Sequence, residues 1–348
     1  MAQRVAVLFG GRSGEHEVSV LSAKSVMAAL DPARWEVVPI AISRTGSWLT
    51  PEETKAGLSA DVRGFEADRG PVLRNAEALS ALAACEIAFP LVHGTYGEDG
   101  TLQGFLEIAG MPYAGAGDAA SAIGMDKALM KALFSEAGIP VPQYGVVRSW
   151  EVESFERVAE RYVEEEIGYP CFVKPANGGS SVGVTRVRSR EDLHEAFRGA
   201  FAYDDKAVIE SAVTGIEVEC SVLGNEHPEA SIVGEITPDR EFYSYESKYD
   251  PTSHTELHIP ARIPPEVAEE VREMAVRMFK LMGCEGYARV DFFVTAGGIV
   301  ANEVNTIPGF TSISMYPKLW EASGLNYRDL LTRILELGFS RHERRARR

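Results

Sequence analysis

Cysteine is scarce in this sequence: Cys85, Cys171, Cys220 and Cys284 are the only four among 348 residues, and no two form a C-x-x-C pair. That spacing argues against a disulfide framework and against a cysteine zinc site. Each lies in or near an apolar run, where a thiol behaves as a small hydrophobe. Long apolar runs are missing as well. Nothing approaches the roughly 20 residues that span a bilayer, and no signal-peptide pattern opens the chain, so a cytoplasmic protein with no membrane partner is expected. Positive charge is in deficit, with 35 Lys and Arg against 51 Asp and Glu and a net charge of −16. The tail Arg341–Arg348 holds five arginines against one glutamate, which leaves the body more acidic still. An acidic body excludes nucleic-acid binding by phosphate neutralisation. The basic tail reads as a frayed, solvated terminus, with an interaction arm as the alternative. Internal repeats and low-complexity segments are absent.

What is present describes an ordinary globular chain, 45% hydrophobic and 25% charged, and too long for one core, so two or three domains are expected. Residues 4–9 form an apolar strand entering Gly10-Gly11-Arg12-Ser13-Gly14-Glu15-His16-Glu17, and a helical pattern follows through Val18, Leu21, Ser22, Ser25 and Ala29. The turn lacks G-x-G-x-x-G, which discounts a dinucleotide cofactor. Glu15 either points at a ligand from this loop or is a first-turn acid favoured by the helix dipole. Strands at 37–42 and 87–92 complete an α/β unit over roughly residues 1–120. The glycine-rich loop His93–Gly104 then sits at a strand carboxyl end, where ligands gather in such sheets. His93 either hydrogen-bonds a substrate from this loop or is a structural loop histidine, the second being the simpler reading.

Met125-Asp126-Lys127 opens a helix that ends at Gly138 before Ile139-Pro140-Val141-Pro142. Residues 151–163 place Val152, Phe155, Val158 and Tyr162 on one helical face after Ser149. The strand Cys171-Phe172-Val173-Lys174-Pro175 runs into Asn177-Gly178-Gly179-Ser180-Ser181-Val182-Gly183. Small residues after a terminal lysine can wrap N–H groups and hydroxyls around phosphates, although the P-loop pattern is absent and a glycine linker has the same composition. Ser189-x-x-Asp192 is a capping box for a helix burying Leu193, Ala196, Phe197 and Ala200. Val208-Ile209-Glu210 is a short strand, and residues 215–222 alternate as a half-buried one. Glu246–Pro251 lies in a long polar loop of the kind that forms lids. Residues 266–282 form an amphipathic helix closed by Gly283.

The richest stretch is 288–305. Two β-rich runs joined by Thr295-Ala296-Gly297-Gly298 predict a hairpin. Arg289 and Asp291 share a face of the first strand, as Glu303 and Asn305 do of the second. If these faces coincide, three oxygen ligands suited to Mg²⁺ and one cation converge beside the small-residue turn Pro308–Ser312. A hairpin face carrying ordinary solvated charges has the same spacing.

Together these motifs resemble the D-alanine–D-alanine ligase family of ATP-grasp enzymes. The resemblance runs through Gly10–Ser19, His93-Gly94…Gly97-Glu98-Asp99-Gly100, Met125-Asp126-Lys127, Val173-Lys174-Pro175, Gly179–Gly183, Lys248-Tyr249, Arg289-Val290-Asp291 and Asn302–Gly309, nearly the whole chain. It implies a mixed fold, α/β plus α+β: an N-terminal α/β substrate-binding domain at 1–122, then a two-lobed ATP-grasp unit with a central lobe at 123–213 and a C-terminal lobe at 214–348. It implies that Lys127, Lys174 and the Ser181 loop meet ATP phosphates, Glu210 and Val213 adenine, and Glu217 ribose. Asp291, Glu303 and Asn305 would bind two Mg²⁺ (or Mn²⁺). Glu15 would take the ammonium of a first D-alanine, and Arg289 with Gly309 would face developing negative charge. Ser314 and Lys248 resemble positions that contact the second substrate's carboxylate and the transferred phosphate, while Ser180 and Tyr249 resemble partners of Glu15 in lid closure. A homodimer is implied too. Relatives that make D-alanyl-D-lactate generally carry another residue, often His, where Tyr249 stands, so Tyr249 favours a dipeptide product. The rivals are a ligase with D-lactate or D-serine as acceptor and a silent nucleotide-binding regulator. Retention of Lys174, Arg289, Asp291, Glu303 and Asn305 argues against the latter.

Overall fold

The computed structural model describes residues 2–61, 64–151, 162–237, 255–311 and 313–347. Lys248 and Tyr249, Ser312, and the expected helix face of Val152, Phe155 and Val158 lie outside them.

Strands β1 (Gln3–Gly10), β2 (Trp35–Ile42) and β3 (Ile87–Pro90) form a parallel sheet in the order β2-β1-β3. Parallel neighbours need crossovers, and α1 (His16–Ala29) supplies the first. With helices on its faces, β1 is buried from Val5 through Gly10, so it reads as a continuous apolar run rather than an alternating one. Helix α2 (Pro51–Ser59) starts on a capping box: Thr50 accepts from the Glu53 N–H while Glu53 accepts from the Thr50 N–H. Helices α3 (Ala76–Ala83), α4 (Thr101–Ile108) and α5 (Asp118–Met125) complete this part.

A second sheet, entirely antiparallel, has the order β4 (Tyr144–Arg148), β7 (Lys206–Ser211), β5 (Cys171–Pro175), β6 (Thr185–Val187). Helix α7 (Leu193–Phe201) covers it with the expected Leu193, Ala196, Phe197 and Ala200. Helix α6 (Lys127–Glu136) precedes this sheet in sequence, yet its Met130 and Phe134 are buried in the core of the third.

That third sheet is also antiparallel, in the order β10 (Glu256–His258), β9 (Glu229–Thr237), β8 (Ile216–Gly224), β11 (Gly286–Thr295), β12 (Gly298–Asn305). Strand β8 is not half-buried as its alternation suggests: residues 218–224 are all buried. One face packs Val218, Cys220 and Val222 under α8 (Pro265–Leu281). The other meets α9 (Met315–Ala322), where Ser221 Oγ donates to the Tyr316 carbonyl at 3.3 Å.

The expected frayed tail is a correction. Helix α10 (Tyr327–Ala346) buries Leu330, Leu331, Ile334 and Leu335 in one core with Val5, Phe89 and Tyr287. At its far end Arg341 is 2% exposed. Its guanidinium lies 3.9 Å from the Tyr113 ring centroid and donates to the carbonyls of Tyr113 and Gly115. Arg344 pairs with Glu226 and Glu285, and Arg345 with Glu107. A composition-based reading misses this because the acidic partners are remote in sequence. All four cysteines are free and buried, and burial pushes the Cys85 and Cys171 thiols up to about 11.

Candidate active site

The hairpin expected at 288–305 forms, and its register decides the face question. Arg289 stands opposite Asn305 and Asp291 opposite Glu303, so all four side chains share one face. Strand β8 adds Glu219 opposite Asp291, a residue the sequence reading left without a role. Arg289 grips Asp291 with a two-pronged fork, Nε to Oδ1 and Nη2 to Oδ2 at 2.7 Å each, and its Nε lies 3.0 Å from Glu219 Oε2. Asn305 donates Nδ2 to Asp291 Oδ2 at 2.9 Å, which turns its carbonyl oxygen away from that carboxylate. Among the described residues no three His, Cys, Asp or Glu side chains gather as a metal cluster. The oxygen donors expected on this face, Asp291, Glu303 and Asn305, are two carboxylates and an amide, all hard oxygens of the type Mg²⁺ takes, and Glu219 stands beside them as a third carboxylate.

Helix α6 brings the cations. Asp126 caps it, accepting from the Ala128 and Leu129 N–H groups at 3.1 Å, and pairs with Lys206. Lys127 opens the helix; its Nζ donates to the Gly178 carbonyl at 2.6 Å and lies 3.8 Å from Glu303 Oε2. One turn on, the buried Lys131 meets Glu210 Oε2 at 2.9 Å, and Lys174 from β5 pairs with the other oxygen. Glu210 is thus engaged by two ammonium groups on the cavity wall. Burial alone would raise its pKa, but Lys131 and Lys174 hold it down to about 2. Burial in turn pulls the Lys131 ammonium down. Lys131 had a readable signal: it sits four residues after Lys127, on the same helical face.

The loop after β5 is strained. Ser180 and Ser181 have φ of +48° and +60°, a left-handed conformation that costs non-glycine residues about 1–3 kcal/mol. This turn aims the Ser180 hydroxyl at Glu15 Oε1, to which it donates. The approach needs Gly179, where a Cβ would lie 2.5 Å from Glu15 Oε2. It also needs Gly10 (φ +89°), where a Cβ would meet the Ile42 carbonyl at 2.3 Å. Glu15, whose side chain makes no cap to α1, therefore faces a ligand-side loop rather than its own helix.

Beyond β12, the turn carrying Gly309 is anchored by Phe310. Its ring packs among Phe89, Tyr287 and Tyr316 with centroids 5.9, 5.4 and 5.4 Å away. Burying a ring of this size contributes about 1.5–3 kcal/mol, with roughly 0.5–1.5 more per aromatic pair. Ser314 Oγ accepts from the Thr311 N–H at 3.0 Å. Glu98, quoted in the motif but given no role, is half-buried here: its oxygens accept from the Gly94 N–H at 2.7 Å and the Ile307 N–H at 3.1 Å. Burial first and the Glu15 charge second push its carboxyl up to about 8.

Two adjoining cavities result. One of about 140 Å³ is lined by Glu15, Arg289, Gly309 and Ser314 among others. The other, about 470 Å³, lies between the two antiparallel sheets against Lys174, Ser181, Glu210, Val213 and Glu217. Lys127, Ser180 and Glu303 border both. Asn305 lines the smaller, and Asp291 sits behind it under Arg289.

Two antiparallel sheets around a lysine-lined cavity, behind an N-terminal α/β domain, define an ATP-grasp protein. Profiles of the D-ala D-ala ligase N-terminus and C-terminus match residues 4–116 and 133–336. The D-alanine–D-alanine ligase of Thermoanaerobacter sp. (strain X514) is 45% identical, with 99% of each chain covered. Two solved structures superimpose closely. VanG D-Ala:D-Ser ligase from Enterococcus faecalis has a TM-score of 0.82 at 34% identity, covering 97% of this chain and 100% of that one. The D-alanine–D-alanine ligase of Bacillus anthracis complexed with ATP has 0.76 at 30% identity, covering 99% of each. The chain belongs to the D-alanine–D-alanine ligase family.

Proposed function

We propose that this chain joins two D-alanines into D-alanyl-D-alanine at the expense of ATP, through an acyl phosphate, as a cytoplasmic homodimer serving peptidoglycan precursor synthesis. The observation that carries this reading is the pair of cavities with a shared wall. A nucleotide-sized compartment holding Lys174 meets, at Lys127 and Glu303, a small polar one in which Glu15 and Arg289 stand on separate walls.

Each role follows from charge. Glu15 takes the ammonium of the first D-alanine and leaves its carboxylate towards the nucleotide. That oxygen attacks the γ-phosphorus, the new O–P bond forms as the bond to the β-phosphate oxygen breaks, and ADP leaves. Positioning and neutralisation dominate such a transfer, and Lys127 and Lys174 supply them. Lys131 keeps Glu210 paired while Lys174 turns to phosphate. Asp291, Glu303 and Asn305 fit Mg²⁺ or Mn²⁺, which when bound would neutralise phosphate charge. The neutral amine of the second D-alanine then attacks the acyl carbon; the C–N bond forms, the bond to the phosphate oxygen then breaks, and the amine proton leaves with the phosphate. Arg289 and the Gly309 N–H face the tetrahedral oxyanion, Ser314 receives the second carboxylate, and phosphate departs. Glu217 and the backbone at Val213 hold ribose and adenine, the Ser181 loop wraps the phosphates, and Lys248 and Tyr249 complete the closed site with Ser180.

D-serine as acceptor is the second reading, favoured by the close match to the VanG ligase. ADP release should require D-alanine, with L-alanine inert, and the product mass should be that of the dipeptide. Mixed products with D-serine or D-lactate at comparable kcat/KM would move the acceptor assignment. No amino-acid-dependent ADP release despite nucleotide binding would overturn the ligase reading.

A further inference from the structure

The turn that presents Gly309 is held by side chains more than 200 residues away in sequence. Glu98 accepts the Ile307 N–H at 3.1 Å, His93 Nδ1 lies 3.0 Å from the Ile307 carbonyl, and Ser22 Oγ accepts the Phe310 N–H at 3.3 Å. The proton positions follow from the partners. A carbonyl only accepts, so Nδ1 carries the hydrogen. The ring is fully buried and stays neutral, which leaves Nε2 as an acceptor, and Ser22 Oγ at 2.9 Å donates to it. Donation therefore runs one way, from the Phe310 N–H to Ser22, from Ser22 to His93, and from His93 back to the Ile307 carbonyl of the same turn. With the amide and carbonyl of Ile307 and the amide of Phe310 all engaged, and the Phe310 ring fixed in its aromatic cluster, Gly309 between them is left on the wall of the small cavity.

The same network reaches Glu15. The His93 carbonyl accepts from Ser13 Oγ at 2.6 Å, and Ser13 Oγ accepts the Glu15 N–H at 3.2 Å. Glu98 ties Ile307 to Gly94, the residue after His93. One connected set of hydrogen bonds thus joins the two loops that must sit at a fixed separation.

We propose that Ser22, His93 and Glu98 are positioning residues that set the Gly309 N–H against Glu15 and Arg289 for the acyl-transfer step. The proposal rests on the ligase reading above. None of the three borders the larger cavity, so nucleotide binding should not need them; His93 and Glu98 lie on the wall of the smaller one, beside Glu15 and Gly309.

The test compares the full-length wild type with Ser22→Ala, His93→Gln and Glu98→Gln for ADP and dipeptide produced from D-alanine, with thermal melting as the check on folding. Gln at 93 can still accept from Ser22 at the Nε2 position but cannot also donate to Ile307. Gln at 98 can accept only one of the two amides. The expected result in folded variants is a ten- to hundredfold fall in the dipeptide kcat with the ATP KM within about twofold of wild type. More than one ADP should form per dipeptide, because the acyl phosphate is made but, misplaced for attack by the amine, is partly hydrolysed by water to D-alanine and phosphate. An unchanged kcat and coupling ratio in any two folded variants would overturn the proposal, as would a fall in kcat matched by an equal loss of ATP affinity. A wild type inactive towards D-alanine would instead sink the ligase reading itself, and the proposal with it.

Discussion

Replacing Glu303 by Gln is expected to lower turnover by about a hundred- to a thousandfold and to leave the fold intact. Glu303 is half-buried on β12, opposite Asp291, and borders both cavities. Its pairing with β11 is made through backbone groups, and glutamine fills the same volume, so the hairpin has no reason to shift. What changes is charge: an anionic oxygen becomes a neutral amide beside Lys127, whose Nζ lies 3.8 Å from Glu303 Oε2. The check is D-alanine-dependent phosphate release across a Mg²⁺ titration, with a circular-dichroism melt as control. Turnover within threefold of wild type would refute the metal assignment.

The second large effect is on stability. Glu210 is the shared partner of Lys131 and Lys174, and Lys131 is 1% exposed. Removing one partner of a buried ion pair leaves an uncompensated charge and costs about 3–5 kcal/mol. Glu210→Gln should therefore unfold at markedly lower urea concentration at pH 7. The pH dependence carries a definite sign. The Glu210 pKa is about 2 in the folded protein against roughly 4.3 for a free glutamate, so its contribution is complete above the latter and fades as pH falls through the former. The difference between wild type and Glu210→Gln should accordingly shrink from pH 7 towards pH 2. Adding Lys131→Met should recover part of the loss, since the two residues are coupled. A loss below 1 kcal/mol at pH 7, or one that grows on acidification, would contradict the pairing.

Much of this was legible in the sequence wherever local pattern determines local structure. The hairpin at 288–305 follows from two β-rich runs and a glycine turn. The helix opened by Asp126 follows from its cap, and the Ser189 capping box from its spacing. The residues expected at the site lie within dense, ordered motifs; apart from Lys248 and Tyr249, outside the described residues, they line the two cavities or, in the case of Asp291, stand directly behind one.

What was not legible depends on register and remote partners. Glu219 joins Arg289 because β8 pairs with β11 across some 70 positions, and nothing local announces that pairing. Lys131 and Glu210 meet across most of the chain that builds the second sheet. Glu98 and His93 act on Ile307 from the N-terminal domain, and their partner atoms are backbone, invisible to any reading of side-chain type. Strand β8 alternates as if one face were wet, but α8 and α9 cover both. The arginine tail reads as solvated until Glu107, Glu226 and Glu285 are seen beside it.

The central claim, ligation through an acyl phosphate formed on the first D-alanine, is tested most directly with D-alanine labelled with ¹⁸O in both carboxylate oxygens. Attack on the γ-phosphorus by that carboxylate and later loss of phosphate transfer one label to inorganic phosphate for each dipeptide made, with ADP as the nucleotide product. Unlabelled phosphate, or label appearing in AMP, would contradict the account.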